Sequence, residues 1–168
     1  MNGNHIKGDA PMKAERIIKE SFAVIGKEGS TMEGPDVVAK LWQDANAHFA
    51  QVQPLAKVDD QGQLAGIWGV MSDLSRRFQP WEDGFTKGLY LAGVECHDDA
   101  VPPEGWVRWR VPGYEYLRVA CEGSDTFTRG LDCLAENGWQ LAGAVHDFTC
   151  PQTGANFMLF PIRKLAED

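Results

Sequence analysis

The chain has 168 residues, 43% of them hydrophobic, which suits one domain or two closely fused halves and excludes disordered and collagen-like classes. A net charge of −8, from 24 acidic and 16 basic residues, argues against a nucleic-acid surface, which needs clustered Lys and Arg. No apolar run approaches the roughly 20 residues of a membrane helix, and the polar stretch 1–11 lacks the apolar core of a secretory signal.

Residues 1–11 carry Gly3, Gly8 and Pro11 and are expected to form a flexible segment ahead of a single domain, 12–168. Residues 14–26 alternate roughly in polarity and read as a strand. Gly34-Pro35 can open a helix. Val38, Leu41, Trp42, Ala45 and Phe49 then recur on one helix face, and Pro54 ends it. Residues 64–71 form an apolar strand, 74–84 a loop with Pro80 and Trp81, and 89–96 the next strand. The polar, proline-bearing stretch 97–105 marks the midpoint.

Beyond it, 107–111 is strand-like, Pro112-Gly113 is a turn and 114–121 is a strand. Ser124 is placed to cap a helix bearing Phe127, Leu131 and Leu134 on one face, and Asn137-Gly138 stops it. Residues 141–149 and 156–162 are strands around a turn at 151–154. Both halves therefore read strand, helix, strand, strand. Glu28-Gly29-Ser30 and Glu122-Gly123-Ser124 follow matching strands, while Gln63-Leu64-Ala65-Gly66 and Gln140-Leu141-Ala142-Gly143 open matching ones. This order points to a tandem duplication, with repeat one at about 12–98 and repeat two at about 104–164. The expected fold is α+β: an antiparallel curved sheet with two helices packed on one face and a ligand crease on the other.

Six tryptophans and three tyrosines are available to line such a crease. Trp42 and Trp139 read as core. Trp68 lies between Ile67 and Gly69 in mid-strand, where a large ring facing space can form a wall, and Trp81 sits in a loop beside Glu82-Asp83. Glu95 ends an otherwise apolar strand and shares a face with Leu89, Leu91 and Gly93. A carboxylate on a buried face needs a partner. That partner is an arginine, or a ligand cation boxed by aromatic rings, unless Glu95 faces solvent at the strand end. Glu115 falls opposite Tyr114 and Tyr116 and reads as a solvent-side or ion-paired residue.

Enzyme motifs are thin: there is no G-x-S-x-G elbow, P-loop or H-E-x-x-H. Cys96-His97 and His146-Asp147 are sequence neighbours, which does not aim one side chain at the other. None of the four cysteines forms a C-x-x-C pair, so zinc-knuckle and redox motifs are absent and neither a metal site nor a cofactor is expected; without an export signal, a cytoplasmic location and reduced thiols are expected.

Taken in order, Leu41-Trp42, Gly66-Ile67-Trp68-Gly69-Val70-Met71-Ser72-Asp73, Asp83-Gly84-Phe85, Leu91-Ala92-Gly93-Val94-Glu95, Pro102-Pro103-Glu104-Gly105, Val111-Pro112-Gly113-Tyr114 and Asp147-Phe148 resemble the effector-binding domain of AraC-type activators and gyrase-inhibitory-protein-like small-molecule binders. The likeness is strongest to the stand-alone branch found in integron gene cassettes and runs from about Met12 to Lys164. It implies a tandem-repeat α+β fold that binds amphipathic, often cationic, drug-like compounds at a central acid ringed by aromatics. Carried over, Glu95 matches the acid of a Gly-x-Glu strand that includes Gly93, Trp68 the aromatic of the strand before it, and Tyr114 the aromatic after the Pro-Gly turn. Thr149 and Pro151 stand where many relatives carry an acid and a tyrosine, which places the charge on Glu95. Transcriptional relatives carry helix-turn-helix segments, whereas about eleven residues precede the domain here, so no direct reading of DNA is expected.

The expected function is thus binding of a small organic cation by Glu95, with Trp68, Trp81, Tyr90 and Tyr114 supplying ring faces, by a sensor or sequestering protein that works without a membrane. Two alternatives stay open. One is hydrolysis of a small electrophile in the same pocket, against which the missing acid and tyrosine count. The other is an interaction module for a separate DNA-binding partner; a homodimer is a further possibility for assembly.

Overall fold

The computed structural model describes residues 13–166; the expected flexible segment 1–11 lies outside the described residues. Eight strands, β1 (Ala14–Lys19), β2 (Phe22–Ser30), β3 (Ile67–Ser72), β4 (Leu89–Cys96), β5 (Val107–Val111), β6 (Tyr114–Ala120), β7 (His146–Thr149) and β8 (Asn156–Lys164), alternate with helices α1 (Val37–Ala47), α2 (Glu82–Phe85, a single turn) and α3 (Thr126–Glu136). All strand pairs are antiparallel and form one sheet in the order β1-β6-β8-β7-β3-β4-β2-β5. The fold is α+β with a curved antiparallel sheet, as the sequence pattern indicates.

The order has an internal twofold pattern. The set β2-β4-β3 meets β7-β8-β6 at the β3–β7 seam, and each half receives at its outer edge the leading strand of the other: β5 joins β2, and β1 joins β6. The stretch 14–26, expected as one strand, is therefore split at Glu20-Ser21 into two strands near opposite ends of the sheet order.

That split explains the curvature. Six strand spacings lie between β1 and β2, roughly 29 Å if the sheet were flat. The link from Lys19 to Phe22 reaches only about 11 Å. The sheet must curl until its edges approach. The matching Pro112-Gly113 link crosses there too: a Cβ on Gly113 would lie 3.0 Å from the Ser21 nitrogen.

Strand alternation then sorts side chains between an inner and an outer face. The inner face is one apolar cluster drawn from both halves, with Phe22, Trp68, Leu91, Trp109, Tyr116 and Leu159 among its buried members. The outer face carries two clusters, one beneath each long helix. Leu41, Trp42 and Ala45 of α1 pack over Ile25, Tyr90 and Ala92, and Phe127, Leu131 and Leu134 of α3 pack over Leu117, Val119 and Phe160. Both long helices thus lie on one face, as expected. The strand expected over 141–149 is confined to its last four residues, because 138–145 is a loop that hydrogen-bonds elsewhere, Ala142 N–H to Pro161 O and Ala144 N–H to Phe78 O.

Candidate functional site: an apolar cleft over the seam

The crease expected on the helix-free face is filled by the inner cluster. Open apolar space lies instead on the outer face, where the two halves meet. A cleft of ≈190 Å³ is lined by Met71 at the end of β3, Val145 before β7, Met158 of β8, Phe127 of α3, and Pro80, Trp81 and Phe85 of the segment joining β3 to β4. Phe85 and Phe127 meet edge-on, with ring centroids 5.1 Å apart.

The joining segment is held in place by Asp73. Burial acts to raise the pKa of this carboxylate. Hydrogen bonds from Ser75 Oγ, the Arg77 N–H, Ser72 Oγ and the Gln79 N–H outweigh that and bring it down to about 2. Trp81 is anchored by its indole N–H, which donates to Leu89 O at 3.0 Å.

The floor of this region is the seam itself. β3 and β7 pair over three positions, Ile67↔Thr149, Trp68↔Phe148 and Gly69↔Asp147. Beyond them a side chain replaces the partner strand: His146 Nδ1 accepts the Met71 N–H at 3.1 Å. His146 points inward and is wholly buried, which pushes its pKa down to about 3. The neutral ring therefore carries its proton on Nε2.

Asp147, the next residue, points outward. The Tyr90 hydroxyl donates to its Oδ2 at 3.0 Å and accepts from Trp42 Nε1–H at 3.1 Å. Burial raises the Asp147 pKa, against the Tyr90 hydrogen bond. Among the described residues no lysine or arginine forms a salt bridge with it. Gly69 makes the arrangement possible, since a Cβ there would lie 1.9 Å from the Tyr90 hydroxyl oxygen. On the outer face Asp147 is flanked by Val145, two residues earlier, and by its cross-strand partner Met158, both of which line the cleft. An unpaired carboxylate therefore adjoins an apolar, aromatic-walled hollow.

The six residues expected at one site are divided between the two faces. Trp81 lines the cleft and Tyr90 holds its acid. Glu95, Trp68 and Tyr114 point inward and are at most 7% exposed. Glu95 does find a cation among rings, but it is the chain's own: Lys19 Nζ lies 3.2 Å from Glu95 Oε2, 4.5 Å from the Phe22 ring centroid and 5.9 Å from that of Trp68. Trp68 is packed between Phe22 and Phe148, at 4.7 and 4.8 Å, and Tyr114 against Tyr116 at 5.6 Å. Gly93 serves strand contact, since a Cβ there would lie 2.0 Å from Ile25 O. Glu115 is ion-paired with Arg16 and Arg163.

Sequence reasoning missed Asp147. Strand alternation held the signal: it sends His146 and Asp147 to opposite faces, so their adjacency in sequence does not make them a pair. Tyr90 and Cys96 are suppressed as nucleophiles by their surroundings. Burial, with the nearby Asp147 charge, raises the Tyr90 pKa, and burial raises the Cys96 thiol to about 11. Among the described residues no three His, Cys, Asp or Glu side chains are grouped to hold a metal ion, and no helix is long and apolar enough to cross a membrane.

No protein-family model and no curated protein matches the sequence. Solved structures do match in fold. SAV2435 bound to tetraphenylphosphonium aligns at a TM-score of 0.61 and 14% identity, over 90% of this chain and 94% of that one. The C-terminal domain of EcmrR aligns at 0.63 and 12% identity, over 92% and 99%. The integron cassette protein VCH_CASS2 from the mobile metagenome of Vibrio cholerae aligns at 0.50 and 15% identity, over 89% and 95%. The chain thus shares the fold of a protein solved with a lipophilic cation, of a domain of EcmrR and of an integron cassette protein, in line with the fold its sequence motifs imply.

Proposed function

We propose that this protein binds small amphipathic organic cations in the cleft over the β3–β7 seam, with Asp147 supplying the charge. The observation that carries this reading is a carboxylate with one neutral hydrogen bond, from Tyr90, adjoining a hollow walled by Trp81, Phe85, Phe127 and two methionines. Aromatic faces and thioethers attract the apolar body of such a ligand. A partly desolvated carboxylate favours a diffuse cation, which loses little hydration on entry. The tetraphenylphosphonium bound to SAV2435 belongs to this chemical class.

Glu95 is the less suited acid, because Lys19 already neutralises it inside the curled sheet. The protein would act as a sensor or sequestering protein in solution. A link from occupancy to transcription would run through a separate DNA-binding protein or a second copy of this chain. Hydrolysis draws less support, since the groups around Asp147 are apolar or held in their neutral forms.

Calorimetric titration with tetraphenylphosphonium tests the reading. Asp147→Asn keeps an oxygen for the Tyr90 hydroxyl and removes the charge, so its affinity is expected to fall at least about tenfold. Equal affinity in parent and variant would overturn the assignment.

A further inference from the structure

The cleft is small for the ligands just proposed. Pockets for drug-sized molecules run from about 300 Å³ upward, and this one is ≈190 Å³. A second apolar hollow of ≈110 Å³ lies under α1, bordered by Trp42, Leu64, Ile67 and Val94 among others. The outer face of the sheet shows what separates the two. Along β3, Ile67 borders the second hollow and Met71 the first, with Gly69 between them. Over Gly69 lies the phenol end of Tyr90, and the Trp42 ring stands edge-on to Tyr90 at 6.4 Å between centroids. Tyr90 thus lies on the sheet between the hollows, and Trp42, which borders the second, leans against it, the pair pinned by the hydrogen bonds Trp42 Nε1–H to Tyr90 Oη and Tyr90 O–H to Asp147.

We propose that Trp42 is a gate: its hydrogen bond to Tyr90 keeps the two hollows apart, and a bulky cation binds by swinging the indole aside and joining them. This deepens, and rests on, the cation-binding reading. The joined space would reach about 300 Å³, the lower end of the drug-sized range. Trp42 is free to move in a way that Tyr90 is not. It is half-buried on α1, and its indole N–H has that one partner. Tyr90 is held within β4 at 2% exposure. The gate also sets selectivity, because a cation that fits the first hollow has no need to open it.

The test compares tetramethylammonium with tetraphenylphosphonium on the parent chain, Asp147→Asn and Trp42→Phe. The phenylalanine keeps a ring in the wall but removes the N–H that pins it. Relieving a closed state raises apparent affinity only for the ligand that needs the open one. One hydrogen bond of ordinary strength corresponds to about fivefold. Trp42→Phe is therefore expected to bind tetraphenylphosphonium about fivefold more tightly and to leave tetramethylammonium within about twofold. If both cations bind the parent and Trp42→Phe shifts them equally or not at all, the gate is wrong while the cation site stands. If neither binds, or Asp147→Asn binds both as the parent does, the site itself is wrong and the gate falls with it. Should Trp42→Phe fail to fold, 5-fluorotryptophan NMR on the parent decides. A Trp42 resonance that moves with tetraphenylphosphonium and not with tetramethylammonium supports the gate, and one that moves with neither overturns it.

Discussion

Tyr90 and Asp147 lie 57 positions apart in the chain, yet the Tyr90 hydroxyl donates to Asp147 Oδ2 at 3.0 Å across the seam that joins the two halves. The contact brings a carboxylate from the second half under an aromatic from the first. Its energetics are unfavourable to the empty protein, because burial disfavours the charged carboxylate.

Asp147→Asn is accordingly expected to stabilise the unliganded protein at neutral pH, by on the order of 1 kcal/mol, while it weakens cation binding. The sign follows from proton linkage. With its folded pKa raised, Asp147 binds more protons in the native state than in the unfolded one. Its contribution to stability therefore falls as pH rises from the ordinary carboxylate value through the folded value. Urea unfolding of parent and variant at pH 4 and pH 7 checks this, with the difference expected to grow toward pH 7. Binding of a permanent cation should run the other way and weaken as acid protonates Asp147.

His146 has the opposite linkage. Its pKa is depressed to about 3 by burial, so between pH 6.5 and 3 the unfolded chain takes up a proton that the native ring refuses, and stability falls with falling pH. His146→Leu removes that proton but orphans the Met71 N–H, at a cost of about 1–3 kcal/mol at pH 7. The variant should be less stable than the parent at pH 7, with the gap narrowing toward pH 4. Thermal unfolding across that range reads both effects.

Glu95 and Lys19 offer the clearest contrast with Asp147. Glu95→Gln is expected to leave tetraphenylphosphonium affinity within about twofold, since the inner face is packed and the carboxylate is neutralised by Lys19. Lys19→Met leaves Glu95 buried without its cation and should cost about 1–2 kcal/mol, a range discounted because the Lys19 side chain is 29% exposed. Titration and denaturant unfolding of the two variants separate a structural ion pair from a ligand site.

Gly69→Ala would place a methyl group 1.9 Å from the Tyr90 hydroxyl oxygen. Displacing the phenol should cost about 1–3 kcal/mol and break its hydrogen bond to Asp147. Because the damage passes through one neighbour, Gly69→Ala combined with Tyr90→Ala should cost less than the sum of the two single changes. A double-mutant cycle by urea unfolding measures the difference.

The strands and helices were largely legible because each carries a period. β4 is read end to end from its apolar run, and the faces of α1 and α3 follow from their three- and four-residue steps. Alternation also placed Glu95 on the face of Leu89 and Leu91, where it lies. Hidden from the sequence was the curl, which depends on two-residue links joining strands near opposite ends of the sheet order. Once the sheet closes, the helix-free face becomes an interior, and Trp68 and Tyr114, expected to wall a pocket, become core. Equally hidden was the central β3–β7 pairing, which brings Asp147 to Tyr90, a residue far from it in sequence.

A crystal structure of the protein grown with tetraphenylphosphonium would decide where a cation goes. The phosphonium is expected over Asp147 on the outer face, between Trp81 and Phe127, with Trp42 turned away from Tyr90. A cation found inside the curled sheet beside Glu95, with Lys19 displaced, would contradict the assignment.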